Sequence, residues 1–191
     1  MEGNPPQLLA DLAQEPDRLK KTLKVLALIT EQIRPLKPIV VGGAALEFYT
    51  LGGYTTKDVD LVVADRKRLN QVLRNLGFER TTGRHWYSDL LDLAIEAPDE
   101  ALAGSEDKIT TVVIGGKPVY LIGVEDLIID RLAAAKYWQG CQEDFNLAVR
   151  LLVLHKERID LKYLKEAAQR ELVTDILKKA LQKSREYLKK L

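Results

Sequence analysis

Two aspartates, Asp58 and Asp60, flank Val59 at the head of the run Asp58-Val59-Asp60-Leu61-Val62-Val63. Its β-branched, alternating residues read as a strand, so both carboxylates share one face while Val59 and Leu61 take the other. Two like charges one pleat apart repel unless a cation sits between them. Hard oxygen donors so placed suit Mg²⁺ or Mn²⁺, which take one or two carboxylates and complete their shell with water and phosphate. The plainer reading of the pair is a strand edge with solvated aspartates. A second feature lies upstream, where Gly42-Gly43 separates the apolar run Ile39-Val40-Val41 from helix-forming residues Ala44–Leu51. Amides at a helix start attract phosphate through unpaired N–H groups and the helix dipole, and glycine lets the phosphate approach the main chain. Strand, glycine turn, helix and return strand would bring the turn and both carboxylates to one end of a sheet.

The elements that must position these groups are legible in the periodicity. Pro5 and Pro6 open a first helix, and Leu19, Leu23, Leu26, Ile29 and Ile33 mark a second that Pro35 and Pro38 stop. After the aspartate strand, Leu69, Val72, Leu73 and Leu76 continue at helical spacing up to Gly77. Trp86-Tyr87 and then Leu91-Asp92-Leu93-Ala94-Ile95-Glu96, ended by Pro98, read as strands; alternation in the latter puts Asp92 and Glu96 on one face. Ile109–Ile114 and Val119–Ile122 flank Gly115-Gly116-Lys117-Pro118 as a hairpin. From Gly123 onward Leu127, Ile128, Leu132, Ala135 and Trp138 open a helical stretch, with Phe145–Leu154 and Leu161–Leu191 beyond it. The expected organisation is an α/β core with amino-terminal helices over residues 1–122 and a carboxy-terminal helical lobe over 123–191.

Composition narrows the function classes without choosing one. Of 191 residues 46% are apolar, enough for a sizeable core, while 29 basic and 28 acidic residues nearly cancel, so a polyanion site must be local. The single cysteine, Cys141, permits neither an internal disulfide nor a multi-cysteine zinc cluster and reads as inert; it fits the reducing cytoplasm. The first residues lack the pattern of a signal peptide, and no apolar run approaches the roughly 20 residues of a membrane helix.

Val41-Gly42-Gly43 followed by Asp58-Val59-Asp60-Leu61 resembles the signature of the DNA polymerase β-like nucleotidyltransferase superfamily. Glu125–Leu132, with Lys136 and Asp144 beyond, resembles the helical segment of its AbiEii-like and minimal nucleotidyltransferase branch; together the likeness spans about residues 38–152. The resemblance implies a mixed sheet flanked by helices, a metal-bound nucleoside triphosphate, and transfer of its nucleotidyl group to an acceptor. RNA, a protein or a small molecule could serve as that acceptor. Asp58 and Asp60 match the metal-binding pair, and a third carboxylate comes from a later strand. Glu96 is preferred, at the strand end where a site mouth is expected, with Asp92 as the alternative.

The chain departs from the pattern after the glycines. Many members carry a serine there to hold a terminal phosphate, whereas here Ala44-Ala45 follows. The backbone amides and a nearby cation would then supply the contact, with Lys57, Arg84, Arg131 and Lys136 as candidates. Two rival readings stand beside the enzyme: a nucleotide-binding or interaction module of the same fold whose chemistry has lapsed, and, by family analogy, the toxin half of a toxin–antitoxin pair. Of the remaining residues, His85 and Trp86 could stack on a base or fill a half-buried strand start. The basic last helix, with Lys178, Lys179, Lys183 and Arg185, reads as a solvated face that could also meet an RNA backbone.

Overall fold

The computed structural model describes residues 5–138 and 142–190, with side chains from Leu8 onward; Cys141 lies outside the described residues. The chain divides into two compact units, one formed by residues up to Leu102 with Ile109–Leu121, the other by Ala103–Lys108 with Ile122–Leu191.

The first unit carries the sheet. Helices α1 (Pro5–Ala13) and α2 (Arg18–Gln32) precede β1 (Ile39–Val41), α3 (Gly42–Tyr49), β2 (Asp58–Val62) and α4 (Arg66–Asn75). Strands β3 (Glu79–Arg80), β4 (His85–Ser88), β5 (Leu93–Glu96), β6 (Thr110–Ile114) and β7 (Lys117–Leu121) complete it. The seven strands lie in the order β3-β4-β5-β2-β1-β7-β6. The sheet is mixed: β1 runs antiparallel to β2 and parallel to β7, while β2 runs parallel to β5. Carboxylates start α2 and α4 where the chain leaves extended structure. Asp17 accepts the Lys20 N–H at 2.9 Å and Asp65 the Arg68 N–H at 3.0 Å, each satisfying an amide that the helix cannot pair. Val25, Leu26, Ile29 and Ile33 are buried on α2, which packs on β6 and β7, and Leu69 and Leu73 are buried on α4. The fold is thus mixed α and β, as the alternating periods indicated.

Two local expectations are corrected. The hairpin turn is shorter than the sequence suggested: Gly115 and Gly116 alone connect β6 to β7, both at positive φ (58° and 79°), a conformation open to glycine that matches the twist of paired strands. The strand expected over residues 91–96 begins only at Leu93. Asp92 sits before it in the turn from β4 at φ 47°, its N–H donating to the Asp89 carbonyl at 3.3 Å. Aspartate tolerates this left-handed geometry because its side chain is short and polar, so strand alternation does not extend to Asp92.

The second unit is helical: α5 (Val124–Tyr137), α6 (Gln142–Leu154), α7 (Leu161–Arg170) and α8 (Thr174–Leu188), with a short 3₁₀ turn at Glu106–Lys108. α6 packs on α5 and α8, and α7 on both α5 and α8. Leu177, Ala180 and Ser184 form the buried seam of α8, which leaves its lysines on the outer side. Buried Asp126 accepts the Tyr163 hydroxyl at 2.6 Å and the Ser105 N–H at 3.0 Å, tying the 103–108 segment to this unit. Burial, and then the hydrogen bond to that carboxylate, push the Tyr163 phenol up to about 12.

Candidate active site

Strand register assembles the site. Asp60 lies opposite Val41 on β1 and opposite Glu96 on β5, and Glu96 in turn lies opposite His85 on β4. One row across four strands therefore reads Val41, Asp60, Glu96, His85, and the next reads Asp58, Ala94, Tyr87. Side chains of these rows share a face. The intervening row, Val59, Ile95 and Trp86, points the other way and is buried, with the Trp86 indole N–H donating to Asn70 Oδ1 on α4 at 3.1 Å. Apolar residues thus hold one side of the sheet closed while three carboxylates, Asp58, Asp60 and Glu96, stand on its open side. Adjacent strands are about 4.8 Å apart, which puts Asp60 and Glu96 within reach of one shared reactant.

The glycine turn meets this row at Asp60. Gly42 adopts φ 58°, and a Cβ built there would lie 2.5 Å from Asp60 Oδ2, so the carboxylate rests over the Gly42 main chain at the start of α3. The residue before that helix, Val41, makes no side-chain cap bond, so the first amides depend on acceptors from elsewhere. A Cβ on Gly43 would meet Thr56 Oγ1 at 2.9 Å, and the same hydroxyl donates to Asp58 Oδ1 at 2.6 Å. Thr56 therefore touches both halves of the site, the glycine turn and the aspartate strand. The sequence reading missed it because it lies in irregular chain outside either motif; its position two residues before Asp58, on the strand's own face, was the available signal.

Gly42→Ala should separate function from fold. The left-handed conformation costs a non-glycine residue about 1–2 kcal/mol, and the new methyl would displace the tip of the Asp60 side chain rather than backbone. The variant is expected to melt a few degrees lower yet cooperatively, and to lose about 10²-fold in any transfer rate, the scale of a 1 Å misplacement. Thermal melting followed by single-turnover transfer measures both. Unchanged transfer would detach the turn from the chemistry.

Glu96 is not idle. Its side chain is 12% exposed, ion-paired through Oε1 with Arg84 Nε, and Oε2 lies 3.2 Å from His85 Nδ1. Asp92, the alternative acid, instead accepts the Tyr87 hydroxyl at 2.7 Å, a bond that raises the tyrosine's proton affinity. Lys57 is exposed immediately before β2. Arg131 and Lys136 belong to the helical unit and have partners there. Arg131 bonds Asp144 at 2.8 Å and also Asp130; burial weakens its hold on the proton, but the two carboxylates outweigh that and raise it. Lys136 donates to Asp175 at 2.7 Å and to the Leu172 carbonyl at 2.6 Å.

Among the described residues, no three His, Cys, Asp or Glu side chains form a ready metal cluster. The Asp58–Asp60 pair nonetheless has the right donors for Mg²⁺ or Mn²⁺: two hard carboxylates on an open face beside the start of α3, with phosphate oxygens to supply the rest of the shell.

The family model "Nucleotidyltransferase of unknown function (DUF6036)" matches residues 17–188, nearly the whole chain. The chain belongs to this nucleotidyltransferase family. One solved structure agrees on the fold, and a second shows a weaker likeness. The antigenic nucleotidyltransferase-like protein of Paracoccidioides brasiliensis is 19% identical, with a TM-score of 0.60 over 87% of this chain and 93% of that one. ANT(2")-Ia in complex with adenylyl-2"-tobramycin is 21% identical, with a TM-score of 0.49 over 78% of this chain and 97% of that one. No curated protein sequence matches. As a family member the chain carries its glycine turn and carboxylate row in one unit, on one sheet. Among the described residues no helix is long and apolar enough to cross a membrane.

Proposed function

We propose that this nucleotidyltransferase moves a nucleoside monophosphate from a nucleoside triphosphate to a hydroxyl acceptor at the open face of β2 and β5. The observation that carries the reading is the seat of the Asp60 carboxylate over Gly42, with Glu96 opposite in the next strand. In this reading the amides of Gly42 and Gly43 cradle phosphate oxygens. Thr56 supplies, from the loop before β2, the hydroxyl that the superfamily pattern places after the glycines. Asp58 and Asp60 would hold Mg²⁺ or Mn²⁺, which when bound neutralises charge on the triphosphate. Glu96 takes the proton of the acceptor hydroxyl once Arg84 and His85 loosen their hold. The acceptor oxygen bonds to the α-phosphorus, the bond from that phosphorus to the bridging oxygen breaks, and pyrophosphate leaves. The likeness to the AbiEii-like branch rests on residues 125–144, whose Arg131, Lys136 and Asp144 are engaged in structural pairs; we assign them no part in the reaction.

A second reading is favoured by the same Glu96. A carboxylate held by an arginine and a histidine also suits a nucleotide-binding module that no longer transfers anything. Incubating the protein with Mg²⁺ and triphosphates labelled at the α- or the γ-phosphate, together with total RNA, protein extract or small-molecule extract, decides between them. Label moving from the α-position alone into one acceptor pool supports transfer and names the acceptor class. Nucleotide bound without any label transferred leaves the binding module as the function.

A further inference from the structure

Beside the carboxylate row, within the same unit, lies a cleft of about 530 Å³ lined by Arg66 and Asn70 of α4, Arg80 of β3, Arg84, and His85 of β4. No acid lines it. Three guanidiniums converge there, and main-chain carbonyls fix their orientation: Arg66 Nη2 donates to the Pro98 carbonyl at 2.9 Å, Arg84 Nη1 to the same oxygen at 3.3 Å, and Arg80 Nε to the Gly83 carbonyl at 2.6 Å. Each bond uses one of five guanidinium donors. Arg80 makes no ion pair among the described residues. Arg66 Nε is the one buried side-chain polar atom among them that lacks a hydrogen bond; Glu100 Oε1, on a half-exposed side chain, stands 3.7 Å away. Glu96 and Glu100 each meet one of these guanidiniums, Arg84 and Arg66, which leaves Arg80 as the arginine of the cleft with no carboxylate partner among the described residues, and three converging cations still favour an anion between them. The nearby Asp99 carboxyl feels this field. The N–H groups of Glu100 and Ala101, and then Arg66 and Arg84, hold it below its ordinary range.

We propose that this cleft is an oxyanion subsite that holds a phosphate of the acceptor. Planar guanidiniums set by their own carbonyl bonds are suited to forked bonding of phosphate oxygens. The cleft also adjoins the chemistry: His85 lines it and touches Glu96 at 3.2 Å, so a ligand seated there lies next to the carboxylate that would take its proton. The acceptor role rests on the transfer reading above; the binding of phosphate does not. The acceptor class is therefore a phosphate-bearing molecule, either a nucleic-acid strand or a free phosphorylated compound.

The test titrates inorganic pyrophosphate and a short single-stranded oligoribonucleotide into wild type, Arg80→Gln, and the double variant Arg66→Gln/Arg80→Gln, with Mg²⁺·ATP titrated separately. Arg80 is exposed, so its variant reports even where the double variant melts early. Each guanidinium removed is expected to weaken anion binding about tenfold, and that of the oligonucleotide with a shallower salt dependence, while ATP affinity stays within about twofold. Tight oligonucleotide binding with weak pyrophosphate binding identifies a nucleic-acid strand; comparable binding of pyrophosphate identifies a free phosphorylated compound. Binding of neither probe, binding indifferent to both variants, or parallel loss of ATP affinity overturns the subsite. Arginine-dependent anion binding in a protein that binds no ATP would keep the subsite and remove the transfer reading.

Discussion

Asp60→Asn is expected to abolish nucleotidyl transfer, by about 10²–10³-fold, in a protein that still folds cooperatively. The substitution keeps the shape of a side chain that rests over Gly42 and removes only its charge. On the open face that charge repels Asp58, so its loss relieves a like-charge pair, and the change in stability is expected to stay within about 1 kcal/mol. In function the loss is large, because the remaining carboxylate must hold a divalent cation against a triphosphate by itself. Thermal melting gives a second readout. Wild type should gain stability when Mg²⁺ and a nucleoside triphosphate are added together, by mass action on the folded state, and Asp60→Asn should gain little. Equal stabilisation of both proteins would dismiss the aspartate pair as the metal site.

How much of this could be read from the chain follows from how local each determinant is. The Asp58–Asp60 strand, the glycine turn and helix α4 are set by short patterns, a period of two, a pair of glycines, a period of nearly four, and the structure places them where those patterns put them. The strand partners were not legible, because register is fixed by long-range pairing; that Asp60 faces Glu96 on one side and Val41 on the other is known only once β2 is seated between β5 and β1. Asp92 shows the converse failure. Its run alternates well enough to be read as strand, but a tight turn won the first residues and turned this aspartate into a left-handed position. The two-residue strand β3 was too short to carry a period, and so Arg80 was not seen as part of any site. Arg131 and Lys136 looked like phosphate ligands because sequence shows a cation without its partner; Asp144 and Asp175 supply the partners through helix packing.

Glu96→Gln is expected to remove transfer by about 10²–10⁴-fold, the scale of a general base, whereas Asp92→Asn should change it by no more than about twofold. Glutamine fills the same space and still accepts a hydrogen bond from Arg84, but it neither carries the charge nor takes a proton. Asp92 serves the turn before β5 through Tyr87, and asparagine can accept that hydroxyl equally well. Stability separates a base from a structural acid at the same position. The Arg84 and His85 side chains that Glu96 meets are 55% and 52% exposed, so screening by solvent limits what the Arg84 ion pair and the His85 contact contribute to the fold to about 1 kcal/mol at most. A catalytic Glu96 therefore predicts a Glu96→Gln protein that melts within a few degrees of wild type and binds nucleotide normally but transfers nothing. Arg84→Gln completes the comparison. If the arginine both restrains a working base and helps seat the acceptor, its removal leaves transfer intact or faster at saturating acceptor while raising the acceptor concentration needed; if Glu96 and Arg84 are a structural pair in a binding module, both variants lose the same modest stability and neither alters a transfer that is absent from the start.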